Sequence, residues 1–363
     1  MFENSPEFFA SMNTTKGFQS YFSAIFDPNQ FNSIYILKGG PGTGKSSLMK
    51  SIARRCEEKG LEIEKYLCSA DSNSLDGVII KDKKVAIIDG TAPHTTDPSF
   101  PGVVENIINL GSYWDTKKLL PHKRKILELI REKKRHFQRA YQFLKADEEI
   151  ASDVFSFSTR FINGVKMMQN IKVQCAYFFQ KQTVGSTEIK NIESFSKLGK
   201  TRLDSFEKMS SKIWVIEDHC FTAYKYLSSL QEYAKSKEQD VVISYSPIFT
   251  DSPNAIYFPK SNICFTIGKR AYEKELSNKE YHYINMKRFI NTSDLSQGKQ
   301  KIKFAEKCIA ALEEGASVSL LESAKCHAEL ENYYVSAMNF EKIETLKKEI
   351  LTSIFDKNYE QFS

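Results

Sequence analysis

The sequence predicts an α/β chain of two parallel-sheet modules in tandem. Each carries an appended helical hairpin, and the second module is a degenerate copy of the first. Three observations predict this. A glycine-rich segment, residues 39–46, stands between the apolar run Ile34, Tyr35, Ile36, Leu37 and a stretch with helical spacing. The same order of apolar strands returns at Ile213, Trp214, Val215 and Ile216, an offset of 213 − 34 = 179 residues. A long charged helical segment follows each copy, at residues 117–181 and about 294–356. The expected domains are residues 1–185 and 186–363.

Composition sets the frame. At 363 residues the chain is long enough for two domains, and 41% hydrophobic with 26% charged residues is a globular balance. No apolar run approaches the ~18 residues of a membrane span. The opening residues 1–4 show neither a basic n-region nor an apolar h-region, so a cytoplasmic, non-membrane protein is expected. The seven cysteines form no C-x-x-C pair and are expected as reduced thiols, and the six histidines lack zinc-ligand spacing. A net charge of +6 does not by itself imply nucleic acid.

Residues 1–33 lead in to the first strand and carry Phe8, Phe9, Phe18, Tyr21 and Phe22, expected as core packing or as one wall of a base pocket. Residues 39–46 then fit G-x-x-x-x-G-K-[ST], the phosphate-binding P-loop. The chemistry needs this strand–loop–helix setting. Glycines bring backbone N–H groups close to phosphate oxygens, and the helix N-terminus adds its positive dipole end. Gly39, Gly40, Pro41, Gly42, Thr43, Gly44, Lys45, Ser46 and Ser47 are the expected nucleotide-binding set. Lys45 would meet the β/γ-phosphates and the Ser46 hydroxyl would ligate Mg²⁺. ATP and Mg²⁺ are therefore the expected cofactors. No N-K-x-D base-recognition motif is present, so ATP rather than GTP follows from class alone.

Residues 61–68 read as the second strand, followed by a polar loop that holds Asp71 and Asp76, candidates for metal or substrate contact or for turn formation. Residues 85–89 are four apolar residues ending in Asp89, the Walker-B pattern, with Asp89 the expected second Mg²⁺ ligand. Gly90 follows where many ATPases place a catalytic glutamate, so a water-activating base comes from elsewhere or hydrolysis is slow. His94 and Asp97 sit in the next loop and could orient water or an acceptor, or serve only the turn. Glu105 is expected to begin a helix through Leu110 and is a weaker base candidate.

Between Lys117 and Arg139 ten basic residues face only Glu128 and Glu132. Arg124, Arg131, Arg135 and Arg139 fall on one helical face. A solvated face is the favoured reading; a lid over phosphates or a nucleic-acid surface are the alternatives. This helix is expected to fold back on residues 154–179.

In the second copy Asp218, His219, Cys220, Phe221, Thr222, Ala223, Tyr224 and Lys225 replace the glycine loop, and Ile267 replaces Asp89. No second nucleotide site is expected. Strands at residues 241–246 and 263–267 are expected beside and parallel to residues 213–216.

Residues 36–46, 68–80 and 87–94 together resemble a family of bacterial tandem P-loop proteins of the clostridial and bacillus type, described as ATPases or ATP-binding proteins. The resemblance is specific over residues 34–110 and extends to the layout of the rest. It implies the fold and the nucleotide class and names no substrate. The family's second half usually carries its own P-loop, from which this chain departs. The expected function is a Mg-dependent ATPase with one active site, where Lys45, Asp89, His94, Asp97 and Asp71 are the catalytic candidates. A kinase acting on a small acceptor and a non-hydrolysing ATP-dependent switch are the alternatives.

Overall fold

A computed structural model describes residues 5–180, 184–269 and 279–356. The first half runs β1 (Glu7–Phe9), β2 (Ser11–Thr14), β3 (Gly17–Ser20), α1 (Phe22–Ile25), β4 (Ser33–Lys38), α2 (Lys45–Glu57), β5 (Ile63–Leu67), β6 (Leu75–Ile80), β7 (Val85–Asp89), β8 (Glu105–Asn109), α3 (Thr116–Leu119), α4 (Lys123–Thr159) and α5 (Gly164–Ala176). The second half repeats this in the same order. Its elements are β9 (Thr187–Ile189), β10 (Glu193–Ser196), β11 (Gly199–Arg202), α6 (Ser205–Met209), β12 (Lys212–Glu217), α7 (Thr222–Ser236), β13 (Val241–Tyr245), β14 (Pro253–Phe258), β15 (Ile263–Gly268), β16 (Glu280–Asn285), α8 (Thr292–Leu295), α9 (Lys299–Ala337) and α10 (Phe340–Asp356).

The two six-stranded sheets have one topology, β1-β5-β6-β7-β4-β8 and β9-β13-β14-β15-β12-β16. Their registers agree as well: Ile34 pairs with Ala86 and Ile213 with Cys264, in parallel. The sheets are mixed rather than parallel throughout. β6 and β14 run antiparallel to both neighbours. The cause is local. A tight turn joins β6 to β7, with Lys84 at φ 49°, and its counterpart joins β14 to β15, with Asn262 at φ 51°. So short a connection cannot carry a parallel crossover. β13 therefore shares the direction of β12 but is separated from it by two strands, β14 and β15.

Period-two alternation sorts the side chains. Ile34, Ile36, Ala86 and Ile88 point into one core together with Ile213, Val215, Val242, Ala255 and Cys264, so the two sheets share their inner faces. Tyr35, Leu37, Val85 and Ile87 point outward under α2, and Ile216, Ile243, Ile256 and Phe265 point outward under α7. Burial on both faces is why these strands read as continuous apolar runs.

The long helices exchange partners between the halves. α4 continues to Thr159 and does not fold back on itself; it lies antiparallel to α9, with Lys125 opposite Glu329 and Gly298 against Phe157. α5 then packs on the second sheet through Met167, Ile171 and Cys175. α10 packs on the first through Ile343, Leu346, Ile350 and Ile354. Two isolated bridges, Trp114 to Met338 and Ile162 to Ile290, mark equivalent crossing points. The hairpins β2–β3 and β10–β11 cross in the same way. Lys16 reaches Asp251 at 2.8 Å and Lys197 reaches Asp71 at 3.0 Å, one ion pair made twice. Among the described residues no helix is long and apolar enough to cross a membrane.

Candidate functional site

β4 ends at Lys38 and α2 starts at Lys45, with Gly44 as its N-cap. Gly42 and Gly44 have φ values of 67° and 81°, a region that glycine enters without penalty. The Thr43 hydroxyl donates to the Gly40 carbonyl at 2.9 Å and closes the loop. Lys45 Nζ donates to the carbonyls of Gly39 (2.7 Å) and Gly40 (3.0 Å) and lies 3.6 Å from Asp89 Oδ2. No described residue accepts a hydrogen bond from the backbone N–H groups of Gly42 to Lys45. Pro41 lies in the loop, and Ser47 is exposed on α2.

Asp89 ends β7 beside the loop. Its Oδ1 accepts the Thr91 N–H at 2.9 Å and the Thr91 hydroxyl. Ser46 Oγ accepts the Leu75 N–H at 2.9 Å, which ties α2 to β6. The residue after Asp89 is closed to any side chain: a Cβ on Gly90 would overlap Ile36.

Asp76 is not a loop residue. It lies in β6, fully buried, with His94 Nε2 3.5 Å from its Oδ2. Burial, the charge of Asp89 behind it, pushes its carboxyl up to about 8. Burial also holds His94 below the usual imidazole range, so at neutral pH the two form an uncharged pair. Phe22 stacks on His94 at 4.8 Å and Phe18 lies at 5.4 Å, which gives the aromatics of the lead-in their role.

Other candidates do not converge on the loop. The Asp97 side chain is 92% exposed and lies 3.4 Å from Lys38 Nζ. Asp71 accepts the Asn73 N–H at 3.2 Å and pairs with Lys197. Glu105 starts a strand, not a helix, and its carboxylate accepts the N–H groups of Ser99 (2.6 Å) and Phe100 (2.7 Å). Arg124, Arg131, Arg135 and Arg139 are all exposed, Arg135 beside Glu132 and Arg139 over Phe143.

What the sequence hides is the roof of the loop. A Cβ on Gly40 would meet Trp114 at 3.3 Å, one on Gly42 would meet the Glu331 carbonyl at 2.9 Å, and one on Gly44 would meet Phe340 at 3.5 Å. Two of these three contacts come from α9 and α10 of the other half. Lys133 of α4 turns inward from the basic helix, and its Nζ lies 2.8 Å from His327 Nδ1 on α9.

The corresponding loop of the second half is filled from within. Asp218 accepts the N–H groups of Phe221 (2.9 Å) and Ala223 (2.8 Å) at the start of α7. Tyr224 stands where Lys45 does and packs on Phe249, ring centroids 4.9 Å apart; Phe221 packs on the same ring at 5.4 Å. Ile267 and Asn254 take the places of Asp89 and Asp76.

No protein-family model, curated protein or solved structure matches the chain.

Proposed function

We propose that the first half binds Mg-ATP at residues 39–46 and hydrolyses it, and that the second half holds no nucleotide. The observation that carries this is the contrast between the two loops. In one, the Asp218 carboxylate takes the N–H groups at the head of the helix. In the other, the N–H groups of Gly42 to Lys45 have no acceptor among the described residues, and Lys45 stands over them. Such a cradle suits an anion. The expected resemblance of residues 34–110 to tandem P-loop proteins, ATPases or ATP-binding, fits the same reading.

Among the described residues no group of three or more His, Cys, Asp or Glu side chains is arranged to hold a metal. Mg²⁺ in a nucleotide site does not need one. It keeps several waters and takes one or two protein oxygens besides the phosphates. Ser46 and Asp89 supply a hydroxyl and a carboxylate beside the loop and fit that role. The ion would neutralise charge on the β- and γ-phosphates. Lys45 would leave the loop carbonyls for those phosphates, and Thr91 would hold the Asp89 carboxylate in place.

Two observations favour a second reading, an ATP-dependent switch with little turnover. Gly90 has no room for a carboxylate side chain, and the neutral Asp76–His94 pair is a weak base for water. The roof from α9 and α10 gives such a switch a lever, because nucleotide at the loop would bear on helices of the other half.

Incubation of the protein with γ-labelled ATP, Mg²⁺ and a metabolite extract separates these readings. Release of label as inorganic phosphate, lost in Asp89→Asn, is the expected result. Label on a small acceptor would make the protein a kinase. Tight binding with no loss of label would leave the switch.

A further inference from the structure

We propose that Lys133 and His327, carried by the two long helices, form with Lys45 the seat of the terminal phosphoryl group, so that the helix pair tells a nucleoside triphosphate from a diphosphate. The inference rests on the nucleotide reading of residues 39–46 and adds the groups that select the ligand's charge.

Geometry brings the three residues to one place. Glu331 and Val335 of α9 abut Gly42, and His327 lies one helical turn before Glu331, its Nε2 3.6 Å from the Glu331 carboxylate. Lys133 reaches across from α4 to His327 at 2.8 Å, and no described carboxylate lies within ion-pair distance of its ammonium. An ammonium so held, with no counter-charge, is costly until an anion arrives. Burial, against the partial support of Glu331, holds Lys133 below the usual lysine range, and burial with the charges of Lys133 and Lys45 pushes His327 down to about 4. A phosphoryl group beside Lys133 and Lys45 would relieve the repulsion between the two ammonium groups, with the neutral His327 imidazole holding Lys133 in place.

The repeat supplies an independent argument. α4 starts at Lys123 and α9 at Lys299, so Lys133 corresponds to Ile309 and His327 to Ala151. Those two residues lie in one apolar cluster with Phe195 and Ile248, against Phe221 of the second loop and Phe249, which packs on it. The level of the helix pair that faces the loop with Tyr224 for Lys45 and Ile267 for Asp89 thus has apolar residues in place of Lys133 and His327 too. Fold alone does not require the lysine and histidine, because the same helix pair packs without them at the equivalent level. They go with the loop.

The test compares ATP and ADP affinities of the full chain in Mg²⁺ by calorimetry, for the wild type, Lys133→Met and the double variant Lys133→Ile with His327→Ala. The double variant copies the residues that the helix pair already accommodates, so it guards against misfolding. The expected result is that the wild type prefers ATP by about tenfold or more, the worth of a charge-assisted hydrogen bond. Both variants should lose that preference while ADP affinity stays unchanged. A preference retained in the variants, an equal loss for both nucleotides, or no preference in the wild type overturns the inference and leaves the nucleotide site standing. Absence of any nucleotide binding, or binding that survives Lys45→Ala, overturns the reading of the loop and the inference with it.

Discussion

Asp218 is the counterpart of Gly39, and its carboxylate holds the helix-end N–H groups that the loop after Gly39 leaves open. One half of the duplicated fold carries its anion covalently; on the proposed reading the other receives one. Asp218→Ala should therefore cost stability in the manner of a lost N-cap, about 1 kcal/mol in urea unfolding. It should create no nucleotide site, because Tyr224 and Ile267 remain. A second ATP bound by this variant would contradict the account of the second loop.

Asp147 gives a pH signature remote from the loop. Both of its oxygens are buried without a partner in α4. Burial, with Glu313 and Glu148 nearby and Lys200 opposing them, pushes its carboxyl up to about 7. The unfolded value is about 3.9. Between those limits the folded chain keeps a proton that the unfolded chain has lost. This contribution to stability therefore falls as pH rises from about 4 to about 7 and is flat above. Asp147→Asn should remove the decline and, at pH 8, exceed the wild type by about 1–3 kcal/mol in denaturant unfolding. A wild-type-minus-variant difference that is constant with pH would show that Asp147 titrates normally.

Gly42 and Gly60 separate strain from collision. Both have positive φ, 67° and 79°, but a Cβ on Gly60 meets open space while one on Gly42 meets the Glu331 backbone at 2.9 Å. Gly60→Ala should cost about 1 kcal/mol, the left-handed penalty alone. Gly42→Ala should cost about 1–3 kcal/mol more, the range of an overpacked contact. Thermal denaturation without nucleotide measures both. Equal losses would mean that α9 does not press on the loop.

How much of this was legible beforehand varies with the range of the interaction. Ile34 to Leu37 are buried on both sides, and their partners Ile213 to Ile216 repeat them, so local pattern and internal repeat were enough to find both sheets. The loop was legible because its glycines and Lys45 are adjacent in sequence. Glu105 to Asn109 misled because Glu and Asn are poor strand formers; pairing with β4 at the sheet edge overrides them. Asp76 looked like a turn residue because its strand begins inside a polar run, and only the tertiary setting of β6, between β5 and β7 with His94 against it, buries it. The partner of α4 was out of reach. An amphipathic helix announces that it has a partner, not that the partner lies in the other half of the chain. Lys133 is one of ten basic residues in its stretch, and His327, far along the chain, is what sets it apart.

The most direct test of the central claim is a calorimetric titration of the full chain with ATP and Mg²⁺, run in parallel on Lys45→Ala. One ATP per chain is expected in the wild type and a loss of binding in the variant, whose unliganded melting temperature also falls because Lys45 bonds the Gly39 and Gly40 carbonyls and pairs with Asp89. Two equivalent sites, or undiminished affinity in Lys45→Ala, would contradict it.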